Sequence, residues 1–99
     1  MTPAQAWIRG RLPDAPPALL QAMLAALPED AGQPVADAFA DAGLRLYAEL
    51  VRGGAGGERE DAIPLLAAVA LFTLALEAQA EADPGGVAAL AERIGASGA

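Results

Sequence analysis

The chain has 99 residues, of which 55% are hydrophobic, and a formal net charge of −7 at pH 7. It contains no cysteine, histidine or lysine, since all of its basic residues are arginines. These absences exclude disulfides, thiolate nucleophiles, Schiff-base lysines and the usual zinc and haem ligands. The acidic charge opposes binding to nucleic acids and to anionic membranes. We therefore expect no catalytic residue, no bound metal and no cofactor.

The first predicted helix begins at Pro3, because Thr2 is a good N-cap and Gln5 stands where a capping box requires Glu or Gln. Gly10 is expected to end it. Trp7 is interpreted as the side chain that anchors this helix to the core, because a chain with so few aromatic residues is a poor stacking surface.

The second helix should have Asp14 or Ala15 as its cap and two prolines, Pro16 and Pro17, in its first turn. It should run to Leu27, where Pro28 stops it. Its apolar stripe consists of three leucines at helical spacing, Leu20, Leu24 and Leu27. Leu19 and Met23 lie beside this stripe.

The third helix should extend from about Pro34 to Val51. Its apolar residues cover about half of the helical wheel, which suits a helix with two neighbours and requires no partner site. These residues are Val35, Phe39, Ala42, Leu44, Leu46, Tyr47, Leu50 and Val51. Two pairs on the polar side, Asp41 with Arg45 and Arg45 with Glu49, have the four-residue spacing of weak ion pairs.

Residues 52–57, RGGAGG, are interpreted as a hairpin loop that leads to the fourth helix near Asp61, with Pro64 in its first turn. The uncharged stretch 62–76 would form about 22 Å of helix, shorter than the roughly 30 Å core of a bilayer. We expect this helix to be the central one, buried at its start and reaching solvent near its end. One face groups Leu65, Val69, Phe72 and Leu76, with Phe72 as a core anchor.

Another side of the fourth helix carries three small residues at intervals of seven, Ala68, Ala75 and Ala82. Leu71 lies beside them. Small side chains let two helices approach closely, so this side is predicted to be a self-association surface. The competing interpretation is that these alanines contact the third helix of the same chain or face water.

The fifth helix should begin at Pro84 with Asp83 as its cap, present Val87, Leu90 and Ile94, and end before Gly95. The last residues are expected to fray. No strand-like alternation occurs, and at this length one domain is expected. The sequence therefore predicts a single all-α domain, residues 1–99, built as a small bundle of four to five helices around a largely buried fourth helix.

Only two groups of residues resemble a catalytic or metal site, the carboxylate pairs Asp37 with Asp41 and Glu77 with Glu81. Without histidine they cannot complete a di-metal bundle centre, although an all-carboxylate site for Mg²⁺ is chemically feasible. We interpret both pairs as solvated helix faces.

By elimination, the favoured function is a non-enzymatic protein–protein interaction or self-association module, acting on itself or on a larger partner through the fourth helix. One alternative is a carrier or sensor of a small apolar ligand held between helices. Another is an accessory subunit that contributes carboxylates to a metal site. No nucleic acid or membrane partner is expected, and the expected location is the cytoplasm.

Overall fold

A computed structural model describes residues 1–53 and 62–98, with side chains described up to residue 96. Within these residues the chain forms α-helices and no strand, which confirms the predicted all-α class. A short 3₁₀ helix, Pro84–Gly86, precedes the last α-helix. The five α-helices are α1 (Pro3–Arg11), α2 (Pro17–Ala26), α3 (Val35–Arg52), α4 (Ala62–Ala82) and α5 (Val87–Gly98).

Helices α3 and α4 form the centre of the bundle, and α4 also contacts α2 and α5. The two central helices run antiparallel. Gly43 of α3 lies against the ring of Phe72, whereas Ala36, earlier in α3, shares a cavity wall with Gln79, later in α4. Gly43 allows the close approach, because a Cβ atom placed there would lie only 2.7 Å from Cε1 of Phe72.

The core is rich in alanine and receives one large, fully buried side chain from each of the first four helices. These are Ile8, Met23, Phe39 and Leu71. No polar or charged side chain of the described residues is buried. Packing of small and aliphatic groups therefore holds the bundle together, and polar side chains act at helix ends and on the surface.

Four local hydrogen bonds occur at helix ends or within a helix, and those of Thr2, Gln5 and Asp83 involve the capping residues that the sequence predicts. In the capping box of α1, the backbone N–H of Gln5 donates to Oγ1 of Thr2 at 3.2 Å, and the Thr2 N–H donates to Oε1 of Gln5 at 2.9 Å. The Asp83 carboxylate accepts from the Gly85 N–H at 3.1 Å. Within α4, Oγ1 of Thr73 donates to the carbonyl of Val69 at 3.0 Å, a bond that threonine often makes in helices.

Other predicted boundaries were wrong. The N-cap of α2 is Pro16, with no side-chain hydrogen bond, in place of Asp14 or Ala15. Helix α1 continues one residue past Gly10, and α5 continues through Gly95 to Gly98. Glycine lowers helix propensity by only about 1 kcal/mol, which contacts made by other residues of the helix can offset. The predicted loop and helix start in residues 54–61 lie outside the described residues.

The fourth helix is central, as predicted, but the expectation that it is buried at its start, on the face that carries Phe72, was wrong. Its first turns are exposed, with Leu65, Leu66 and Val69 each more than half accessible to solvent, and Phe72 is only half-buried. The buried side is instead made mainly of alanines: Ala67, Ala68, Leu71, Leu74, Ala75 and Ala78. Helix α4 is apolar on most of its circumference, so hydrophobicity alone cannot orient it.

Candidate interaction surface

The structure places three of the four residues of the predicted self-association surface inside the chain's own core. Ala68, Leu71 and Ala75 are at most 1% exposed, and only Ala82 is on the surface. In this fold a second copy cannot reach these three side chains. In the competing interpretation these alanines contact the third helix of the same chain or face water; in the structure Ala68 and Ala75 are buried and Ala82 is exposed.

A different set of apolar side chains is exposed, at the end of the α3–α4 pair farthest from α1. We call this set the distal patch. Its members are between 36% and 59% exposed: Tyr47, Val51, Leu65, Leu66 and Val69. Single exposed apolar residues are common on proteins, whereas large contiguous groups occur at sites that bind proteins, membranes or ligands.

The antiparallel register brings the two helices' contributions together. From Gly43 to Leu50 and from Phe72 back to Leu65 the distance is seven residues, or about 10 Å of helix in each case. Because Gly43 contacts Phe72, Leu50 and Leu65 lie at about the same level, two turns farther along the pair. The distal patch is therefore a single surface made by the final turns of α3 and the first turns of α4.

The distal patch is exposed because the other helices cover only the near half of α3. Every buried residue of α3 lies between Ala36 and Gly43. Helix α1 contacts this half through Trp7, whose ring meets the ring of Phe39 edge-on at a centroid distance of 5.5 Å. The later part of α3, from Leu44 to Arg52, contains no buried residue.

Helix α5 lies against both α3 and α4 on the same side as part of the distal patch. Its Arg93 pairs with Asp37 and Asp41, at 3.3 and 3.6 Å. These acids share one side of α3 with Val51, at helical spacing. On α4, Gln79 shares a cavity wall with Leu90 of α5.

Gln79 of α4 is aligned with Phe72 and Leu65 at intervals of seven residues. The groove that α5 occupies near the start of α3 therefore continues along the two central helices. Farther along, it is lined by the exposed side chains of the distal patch.

At the opposite end, Arg11 ties α1 to α4. Its guanidinium lies 4.1 Å from the centroid of the Trp7 ring and donates two hydrogen bonds to Glu81, at 2.7 and 2.8 Å. This hydrogen-bonded ion pair raises the pKa of Arg11 and lowers the pKa of Glu81. Both side chains remain about half exposed, so the arrangement fixes geometry and contributes little energy.

A surface cavity of about 600 Å³ lies beside this ion pair, between α1, α3 and α4. Its volume is in the range of small-molecule sites. Most of its lining residues are apolar, and Asp37, Gln79 and Glu81 add polar groups to its walls. The accessible side of Trp7 is also in contact with Arg11.

The two carboxylate pairs lie on helix surfaces and contact arginine or amide groups. Asp41 accepts a hydrogen bond from Nε2 of Gln33 at 2.6 Å and pairs with Arg93, whereas the predicted ion pair with Arg45 does not form. Arg45 pairs with Glu49 at 3.5 Å, as predicted. Across residues 1–53 and 62–98, no group of three potential metal ligands comes together.

Helix α4 is, within the described residues, the one helix long and apolar enough to cross a membrane, with 21 residues and a mean hydropathy of 1.8. Its full length of about 31 Å includes Glu77 and Glu81, beyond the uncharged stretch. A third of the apolar window is buried within the fold, and the core helix of a bundle meets the same criteria.

Comparison with known proteins adds no assignment, since neither a protein-family model, nor a curated protein, nor a solved structure matches the chain. The distal patch was also missed by sequence reasoning, which placed Leu65 and Val69 in the core. One signal pointed to it. The broad apolar side of α3 and the uncharged first half of α4 are the sequence features that contribute to this patch.

Proposed function

We propose that this protein is a non-enzymatic protein–protein interaction module that docks on its partner through the distal patch. The single observation that carries the proposal is the exposure of five large apolar side chains on one surface of two packed helices. The predicted role of α4 is retained, but the surface is moved from its alanine side to its opposite, solvent-facing side.

The described residues offer no group suited to catalysis, which supports a binding role. Activated acids, bases and nucleophiles are usually desolvated, and here no polar side chain of the described residues is buried. The whole chain also lacks histidine, lysine and cysteine.

The size of the distal patch indicates a modest affinity. Full burial of one aliphatic side chain contributes about 1.5–3 kcal/mol, so the four half-exposed aliphatic residues of the patch could add roughly 3–6 kcal/mol on docking. Association itself costs at least about 4 kcal/mol. Stable binding would thus also need the half-buried neighbours Leu44, Leu50, Ile63 and Phe72 and polar contacts at the rim.

A photo-crosslinking amino acid placed at position 66 tests the proposal in the native cell. The matched control carries the same amino acid at position 21, an exposed glutamine on α2. We expect position 66 to give a discrete crosslinked protein that position 21 does not give. The same products at both positions, or none at position 66, would contradict docking through the distal patch.

A further inference from the structure

We infer that the occupant of the distal patch is an amphipathic helix with a basic polar face, supplied by another protein. This inference rests on the proposed function and names the chemistry of the partner. The first argument is the shape of the surface. Two antiparallel helices form a groove, and a groove of this kind binds a third helix through side chains spaced three, four and seven residues apart.

Helix α5 provides the template for such an occupant. It lies in the near part of the same groove, against both α3 and α4, and buries Leu90. Beside this anchor, Arg93 pairs with Asp37 and Asp41 on the wall of the groove. A helix with an aliphatic anchor and a neighbouring cation therefore already fits the near part of this groove, and a second helix could occupy the exposed continuation.

Charge selects among the occupants that an apolar patch could accept. A second copy would also carry a charge of −7, and an anionic membrane would repel the chain. A basic helix would be attracted, which raises the association rate and makes it sensitive to salt. The charges on α3 nearest to the patch are Arg45, which pairs with Glu49, and Arg52 at the end of the helix. Arg52 opposes a basic occupant and so offers a test.

The test uses two synthetic 18-residue helical peptides with identical leucine faces, one with lysines and one with glutamates on the polar face. Binding to the full chain is measured by fluorescence anisotropy in about 0.1 M salt. We expect the lysine peptide to bind at least tenfold more tightly, and the difference to shrink at 0.5 M salt. Arg52→Glu should tighten binding of the lysine peptide severalfold.

Two variants of α4 show whether binding occurs at the patch. Leu65→Glu places a charge on it and should weaken binding of the lysine peptide at least tenfold. Ala80→Glu adds the same charge at an exposed position of α4 outside the patch and should not weaken it. Equal effects of the two variants would mean that the peptide adsorbs through charge alone, which would overturn the inference.

The remaining outcomes separate the inference from the proposed function. If both peptides bind equally and Leu65→Glu weakens both, the docking surface stands and the basic partner is wrong. If neither peptide binds, but the chain sediments as a dimer that Leu65→Glu dissociates, the occupant is a second copy. If the chain binds only phosphatidylcholine vesicles, the surface is a membrane contact. If nothing binds and the chain stays monomeric, both the inference and the proposed function fail.

Discussion

The contact between Gly43 and Phe72 predicts an unusual response to a glycine-to-alanine substitution. Within a helix, this change normally stabilises a protein by about 0.8–1.0 kcal/mol. At Gly43 the added Cβ would lie 2.7 and 2.8 Å from two ring carbons of Phe72, about 1 Å closer than the optimal distance of 3.5–4.0 Å between carbon atoms. The resulting strain should cost about 1–3 kcal/mol. We therefore expect Gly43→Ala to destabilise the fold by up to about 2 kcal/mol.

Urea denaturation followed by far-UV circular dichroism measures this difference. Gly95→Ala in α5 is the matched control, because a Cβ there would meet no atom within 4 Å, and it should stabilise by about 0.8–1.0 kcal/mol. In a Phe72→Ala background, Gly43→Ala should also become stabilising. If Gly43→Ala stabilises the unmodified chain as much as Gly95→Ala does, the close approach of α3 and α4 is wrong.

Three further predictions concern the core, the ion pair and the first helix. In urea titrations, Phe39→Ala should destabilise the fold by about 3–5 kcal/mol, and Phe72→Ala by roughly half as much. The reason is that Phe39 is fully buried and Phe72 is not. A larger loss for Phe72→Ala than for Phe39→Ala would contradict the packing described. Arg11 lowers the pKa of Glu81 from 4.5, so the ion pair should stabilise the fold above about pH 4.5 and lose its effect as the pH falls through the lowered pKa. Stability measured against pH should therefore show a gap between the unmodified chain and Glu81→Gln that closes in acid, and a constant gap would refute this role. Thr2→Ala should cost about 1 kcal/mol by removing the capping box, and thermal melts that do not change would show that α1 does not need its cap.

Helix positions could be predicted from the sequence because their determinants are local. The Thr2 capping box fixes the start of α1, and Asp83 with Pro84 marks the connection to α5, whatever the rest of the chain does. These signals depend on side chains within four residues of the helix end. The all-α class follows from the helical spacing of the apolar residues along the chain.

The orientation of α4 could not be predicted, because it depends on which helix approaches it. Larger side chains such as Leu65 and Phe72 offer more apolar area and so favoured the opposite face. In the fold, α3 meets α4 at Gly43 and Phe72, and the side of α4 that carries Ala68 and Ala75 is the buried one. The same reversal hid the distal patch, because Leu65 and Val69, which were assigned to the core, are exposed.

The most direct test of docking through the distal patch is a ¹H–¹⁵N NMR titration of the labelled chain with the lysine peptide. We predict that shift changes concentrate in residues 44–52 and 62–73, the final turns of α3 and the first turns of α4. Changes centred instead on Trp7 and Glu81 would place binding at the cavity beside the ion pair. That result would contradict the distal patch as the functional surface.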